Sequence, residues 1–446
     1  MAVISPFAAW RYNPEKIANL DEVIAPPYDR IDSRLHDELA QRHAYNIVRL
    51  TPPLGTVDES NVQQVADRVA ADLTRWMQEE ILRQDDTESI YYYRLGYPAP
   101  DGRRTVRKGF IALLNLENEQ STLVLPSESD WMNPRFDRLE LLETVHALFA
   151  PIFVLFPDNE REVMSLITGA AENDPVIDTE TADGIEHNLY RLTDPEAVAK
   201  VIDLMKIRPV ALVDGHQRYR TMQSFAQAHP ENIAGRKIMA CFVPIQDDGL
   251  SMLPIHRAVV GLPELKPDTL LLDLASNFYI REITQAEAGG DLLGYAMEEL
   301  AREGQYNEPA FIMGIAGLST LMLLTVKSDA AKIALPDGLA EPIRQLDSAL
   351  LHQLVLQGSL NLDPERRENG EVLFFDDPHQ LPELLASGQA QVVFLCNPLR
   401  PDQLQAVLDA KLKLPHKVAR FLPEVPAGLL VYSFDSLSRN DGGTNG

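Results

Sequence analysis

Within the stretch Val213-Asp214-Gly215-His216-Gln217-Arg218-Tyr219 the chain gathers a carboxylate, a glycine, an imidazole, a guanidinium and a phenol. A strand over 209–213 delivers Asp214 to its carboxyl end, Gly215 permits a tight turn, and a helix opening near His216 aims unpaired backbone N–H groups forward. Such a turn suits an anion. Arg218 adds a fixed cationic fork for phosphate or carboxylate. On that helix Tyr219, Met222 and Ala226 stand at i, i+3 and i+7, the spacing of a face held against a sheet. The same residues also read as an Asp N-cap followed by a solvated His and Arg.

A second cluster is Leu253-Pro254-Ile255-His256-Arg257. If strands over 237–245 and 251–260 pair beside the 209–213 strand, His256 and Arg257 lie near the Asp214 turn, although alternation lets only one of them face it. A rim histidine with a surface ion pair is the structural alternative. Asp29, in Ala25-Pro26-Pro27-Tyr28-Asp29, sits on a proline-stiffened segment that holds a carboxylate at little entropic cost. Glu128 and Asp137-Arg138 are further acid–base candidates, with helix-dipole partnership the competing reading for carboxylates in a first turn. Lys417 is a candidate phosphate ligand or a solvated lysine. Ten His are spread through the chain with none at close metal-ligand spacing, so no sequence-local zinc site is indicated.

The elements that must position these residues are mixed. Over the first ~55 residues, Pro-punctuated apolar pieces read as extended segments joined by loops. Residues 61–82 carry one helical stripe, and 90–95 with 105–116 form an antiparallel pair around Asp101-Gly102. A helix over 135–149 precedes a buried strand at 151–156, and a helix near 195–205 leads into the 209–213 strand and a helix over 216–228. Asp247-Asp248-Gly249 is a hairpin signal between 237–245 and 251–260. Beyond 266 come helix-rich, acidic segments, strands at 310–315 and 320–326, a helix at 342–356 and an α/β stretch from 371 to 434. The fold class is α/β (α+β) with mixed sheets. Its parts are an N-terminal part over 1–119, a core over 120–265, a C-terminal part over 266–435, and a tail over 436–446 with nothing to bury, which reads as disordered.

At 446 residues, 45% hydrophobic and 24% charged, the chain is long enough for several real cores and too ordinary in composition for a fibre or a disordered polymer. Acidic residues outnumber basic ones 66 to 40, a net charge of −26. That excess repels phosphodiester backbones and argues against general nucleic-acid binding. Cys241 and Cys396 lie in apolar runs and read as buried thiols. No stretch approaches the ~18 apolar residues of a membrane span, and no charged region followed by a long apolar core opens the chain, so a cytoplasmic, reducing setting without membrane partners is expected.

Several segments occur together in an order that resembles the family of unknown function DUF1015: Ser5-Pro6-Phe7, Tyr12-Asn13-Pro14, Ala25-Pro26-Pro27-Tyr28-Asp29, Asn46-Ile47-Val48-Arg49-Leu50, Asp137-Arg138-Leu139, Pro151-Ile152-Phe153, Asp214 to Tyr219, Leu253 to Arg257, Leu351-His352 and Asn397-Pro398. The family's Asp-Gly-His-His-Arg-Tyr segment is in turn similar to the signature of free serine kinases of the ParB/sulfiredoxin-like superfamily. The resemblance implies a ParB/sulfiredoxin-like core within 120–265 and phosphoryl transfer from ATP or ADP with Mg²⁺ to a small-molecule hydroxyl. It places Asp214, Gly215, His216 and Arg218 at the nucleotide, with His256, Arg257 and Lys417 as further cofactor ligands. Glu128, Asp29 and His216 would be the groups acting on the acceptor. Gln217 stands for the family's second His, Ser127 for the His of Pro-His-Glu, and Val418-Ala419 for Ser-Thr. These changes delete hydroxyls and a proton shuttle, which opens the alternative of a binding protein without turnover.

Overall fold

The stripe at 61–82 folds as the helix Val62–Gln78, burying Val62, Ala66, Val69, Leu73 and Trp76. The computed structural model describes residues 2–53, 55–99, 102–116, 123–124, 135–262, 264–305, 309–327, 340–363, 366, 370–415 and 417–434. Glu128 and the tail over 436–446 lie outside them. The fold is mixed α/β, and the chain divides into two units. One is built from Met1–Leu125, Met132–Ser251 and Pro423–Gly446, the other chiefly from Met252–Leu422. The sequence places limits at 119 and 265, whereas the first unit joins residues on both sides of 119 in one sheet, breaks off at Ser251 and resumes at Pro423.

That sheet runs in the order Leu123–Val124, Val210–Asp214, Ile152–Phe156, Lys237–Pro244, Arg104–Asn115, Ile90–Pro98, Glu186–Leu192, Ile177–Glu180, with Ile4–Ser5 also paired to Arg104–Asn115. The expected antiparallel pair is present, Tyr91 opposite Ile111 through Pro98 opposite Arg104. Ile152–Phe156 lies between Val210–Asp214, antiparallel, and Lys237–Pro244, parallel, so it is buried on both sides, as its uninterrupted apolar run requires.

Three local expectations need correction. The first ~55 residues are not all extended: Ser33–Arg42 is a helix whose N-cap Asp32 accepts from Leu35 N at 2.7 Å, a cap signal the prolines on either side obscured. The helix expected over 135–149 is Phe136–Val145, stopped where His146 turns left-handed at φ 49°, and Ala147–Leu148 pairs instead with Tyr432–Ser433. The hairpin between 237–245 and 251–260 does not form. Both edges of Lys237–Pro244 are already occupied, by Arg104–Asn115 and Ile152–Phe156, while Ser251–Pro254 pairs with Ala419–Leu422 and His256–Val259 with Val372–Phe375 and Val392–Cys396.

The second unit carries an antiparallel sheet ordered Phe278–Ile283, Leu321–Val326, Ala310–Ile315, Val392–Cys396, His256–Val259, Val372–Phe375. All six residues of Ala310–Ile315 are buried. Alternation sends Phe311, Met313 and Ile315 to a core with Leu350, Leu351 and Leu354, and Ala310 and Ile312 to one with Ala296 and Leu300. Helices therefore cover both faces. No helix among the described residues is long and apolar enough to cross a membrane.

Candidate functional site

Gly215 adopts φ +88°, and a Cβ there would stand 2.8 Å from Ile152 Cγ2 and 3.1 Å from Arg218 Cζ and Nη2. Glycine is required both for conformation and for room. The helix His216–Ala228 follows without a side-chain N-cap. Arg218 folds back over the turn, donating from Nη2 to Asp214 Oδ2 at 3.0 Å and from Nη1 to the Pro151 carbonyl. His216 donates from Nε2 to the Leu212 carbonyl at 3.1 Å. Gln217 Oε1 is buried with no hydrogen-bond partner among the described residues. Gly215→Ala should cost about 2 kcal/mol in a urea titration, from left-handed strain and the Ile152 contact. An unchanged midpoint would mean that the turn is held less tightly than its backbone indicates.

Two distant segments meet this turn. Tyr28 opens a short 3-10 helix behind Pro27, and the Arg138 guanidinium lies 4.4 Å from the centre of its ring. Burial pushes the Tyr28 phenol up from its ordinary range, and Arg218 and then Arg138 pull it part of the way back. Arg138 is 8% exposed. It donates to the Pro52 carbonyl at 2.8 Å and lies 3.3 Å from Asp137; burial pushes its pKa down, with Asp137 the largest opposing influence. Asp29 is exposed and within electrostatic range of both Tyr28 and Arg138.

Arg138, Arg218 and Tyr28 share the wall of a pocket with Leu50, Leu142, Phe149 and Met222, enclosing about 660 Å³ of empty space partly open to solvent. The pocket is apolar in its body, with two cations on its wall. Its Thr221 and Thr51 hydroxyls are spent on the Gln217 and Ile47 carbonyls. Sequence reasoning named Arg138, Arg218 and Asp29 separately and missed that Tyr28 joins them. It also missed Ala427, which reaches the pocket because the segment after Pro423 returns to pair with Ala25 and Trp10.

His256, Arg257 and Lys417 belong to the second unit. His256 is completely buried; its Nδ1 accepts from Cys396 N at 3.1 Å, and burial first, then Arg257, pushes its pKa down to about 4. Arg257 donates to the Lys417 carbonyl at 2.9 Å, so these two candidates meet through the backbone of Lys417, whose side chain is exposed. Asp347 was not anticipated. Burial pushes its carboxyl up to about 7, and the signal was an acid inside the apolar run from Leu346 to Leu351. Cys241 and Cys396 are buried and free. Among the described residues no group of three or more His, Cys, Asp and Glu is arranged to hold a metal ion. Mg²⁺ commonly takes one or two carboxylates plus substrate phosphates; among the described residues Asp214 lies beside Arg218, Asp137 beside Arg138, and Asp29 within electrostatic range of Arg138.

No curated protein matches this chain. Among solved structures, a conserved hypothetical protein from Pyrococcus furiosus is 11% identical, with a TM-score of 0.34 over 71% of this chain and 93% of that one. A free serine kinase in complex with AMP is 11% identical, with a TM-score of 0.33 over 71% of this chain and 90% of that one. SbnI with a C-terminal truncation from Staphylococcus aureus is 11% identical, with a TM-score of 0.30 over 71% and 87%. The family model described as protein of unknown function (DUF1015) matches residues 4–349, most of the sequence and every segment of the pocket that carries Tyr28, Arg138 and Arg218 except the returning Ala427, and the chain belongs to that family.

Proposed function

We propose that the protein is a nucleotide-dependent phosphotransferase acting on a small hydroxyl metabolite, with ATP or ADP as donor. The observation that carries this reading is the pair of guanidinium groups, Arg138 and Arg218, flanking Tyr28 on the wall of an apolar pocket beside the Gly215 turn. The apolar body suits a nucleobase, and the cations with the N–H groups after Gly215 suit its phosphates. Bound Mg²⁺ would neutralise phosphate charge, with Asp214 or Asp29 as its protein ligand. In transfer, the acceptor oxygen bonds to the terminal phosphorus as the bridging bond breaks, and the hydroxyl proton passes to a carboxylate. Asp29 is the candidate among the described residues, and the family resemblance offers Glu128. The nucleotide leaves one phosphate shorter.

A non-catalytic nucleotide- or metabolite-binding role is the second reading. It is favoured by Arg218 and His216 already being engaged by Asp214, Pro151 and Leu212. The test is thermal-shift titration with ATP, ADP, CTP and pyrophosphate, each with and without Mg²⁺, because native-state binding stabilises by RT ln(1 + [L]/Kd). A nucleotide-dependent rise is expected, with Kd weakened about tenfold or more in folded Arg218→Ala. Binding without phosphoryl transfer across an acceptor screen beginning with L-serine would select the second reading. No rise with any of the four would remove both nucleotide readings.

A further inference from the structure

The first sheet ends at Ile177–Glu180, which pairs along one edge with Glu186–Leu192. Along an antiparallel ladder, hydrogen-bonded and non-hydrogen-bonded pairs alternate. Thr181 N donates to the Ile185 carbonyl at 2.9 Å, in register with Thr179 opposite His187 and Ile177 opposite Leu189, so the bonded positions are the odd ones. The N–H and C=O of Asp178 therefore point the other way, side by side, off the end of the sheet. A donor and an acceptor presented together on a strand edge are a template for a matching pair.

This edge is roofed. Ile17, Ala18 and Leu20 line a cavity of about 130 Å³ together with Tyr12, Ile177 and Asp178, close to the roughly 150 Å³ that holds a benzene ring elsewhere. Tyr12, Ile17 and Ile177 are each 4% exposed, and the Tyr12 hydroxyl is spent on the Tyr45 carbonyl at 2.8 Å. The cavity thus sets apolar side chains beside the polar backbone of Asp178, the make-up of a small-ligand site. Its two walls are tied together on either side. Arg11 Nη1, on a guanidinium paired with Asp85 at 2.5 Å, donates to the Val176 carbonyl at 3.1 Å, and Ala182 N donates to Asp21 Oδ1 at 3.2 Å. The space is preformed, which lowers the ordering cost of binding, and a partner for Asp178 must fit within it. That favours a ring-sized molecule over a strand laid along the edge. The Asp178 carboxylate, exposed and held on one oxygen by Asn188 Nδ2 at 2.7 Å, sets a negative charge beside the cavity and selects against anions.

We propose that this cavity binds a small neutral carboxamide or lactam, whose N–H and C=O pair with the Asp178 carbonyl and N–H while its apolar body lies among Ile17, Leu20 and Ile177. None of the cavity's lining residues lines the Tyr28 pocket, so the site stands apart from the nucleotide reading above. The experiment is ligand-observed NMR titration of the full-length protein with benzamide, acetophenone and benzoate, three probes of nearly one shape. Benzamide should saturate a single site. Acetophenone, which keeps the ring and carbonyl and lacks the donor, should bind about fivefold more weakly, and benzoate more weakly still. Proline at 178 deletes the outward N–H and breaks no ladder bond, so Asp178→Pro should weaken benzamide about fivefold, while Asp178→Asn keeps the backbone pair and leaves benzamide unchanged. Ala18 is exposed, and Ala18→Phe should fill the cavity and abolish binding. If Asp178→Pro does not fold, Ala18→Phe and the order of the three probes decide. No saturable binding of benzamide to wild type, equal affinity for acetophenone, or a benzamide affinity unchanged in Ala18→Phe would overturn the site.

Discussion

Arg138→Ala lowers the unfolding free energy of the first unit by about 3–5 kcal/mol. Arg138 and Asp137 are both nearly buried, 3.3 Å apart with side chains 8% and 6% exposed. Truncation leaves Asp137 with Arg135 alone, 3.1 Å away on a side chain that is 44% exposed. It also strips the Pro52 carbonyl of its donor and removes the cation from the Tyr28 ring, each a loss of the order of 1 kcal/mol. Urea unfolding followed by tryptophan fluorescence reads the effect, since Trp10 and Trp76 both belong to the first unit. Removing both charges together separates pair strength from the cost of an orphan. Arg138→Met with Asp137→Leu should recover most of the loss, because a buried ion pair is replaceable by apolar side chains while a lone buried carboxylate is not. If the single variant unfolds at the wild-type midpoint, Arg138 is a solvated side chain and the wall built around Tyr28 is wrong.

The strand–turn–helix at Asp214 was legible because its information is local: an apolar strand, a glycine that alone tolerates the turn, and a helix face at three- and four-residue steps. Its observed bounds, Val210–Asp214 and His216–Ala228, differ little from those expected. Tyr28 and Arg138 are different in kind. Each is read locally as a turn or a first-turn charge, and only packing across the sequence brings the Tyr28 ring to the guanidinium. The Asp247-Asp248-Gly249 signal was itself sound, since Leu250 N donates to the Asp247 carbonyl at 3.0 Å and Tyr97 Oη to the Gly249 carbonyl at 2.8 Å. The strands after it found other partners, Ser251–Pro254 with Ala419–Leu422 and His256–Val259 with Val392–Cys396, because Lys237–Pro244 already has a strand on each edge. A turn signal fixes a reversal of the chain; it does not fix which strand is waiting. Asp347 illustrates the same limit for chemistry, since burial, not residue type, raises its carboxyl into the neutral range.

Lowering the pH from about 6.5 to about 4 removes about 3 kcal/mol of stability from the first unit through His187 alone. The ring is 2% exposed, and burial pushes its pKa from 6.5 down to about 4, with Asp183 opposing and Arg107 reinforcing the shift. Tyr93 Oη and His187 Nδ1 share a hydrogen bond of 2.6 Å, and burial raises the Tyr93 phenol so that it keeps its proton. Below pH 6.5 the unfolded chain binds a proton that the folded chain refuses, so stability falls with pH across this window and levels off below the folded value. Asp247, in the same unit, has its carboxyl raised by burial and contributes with the opposite sign as the folded state takes up its proton first. His187→Gln isolates the histidine, keeping an acceptor for Tyr93 and the Asp247 contribution while deleting the titration. The second unit provides an internal contrast. There His256, pushed down to about 4, and Asp347, pushed up to about 7, act in opposite directions over nearly the same range, so acid should loosen the first unit before the second. Midpoints followed from pH 7 to about pH 4 should converge for wild type and His187→Gln at the high end and separate at the low end, with the variant the more stable. Parallel curves would show that the folded protein admits the proton and that His187 is not sealed from water.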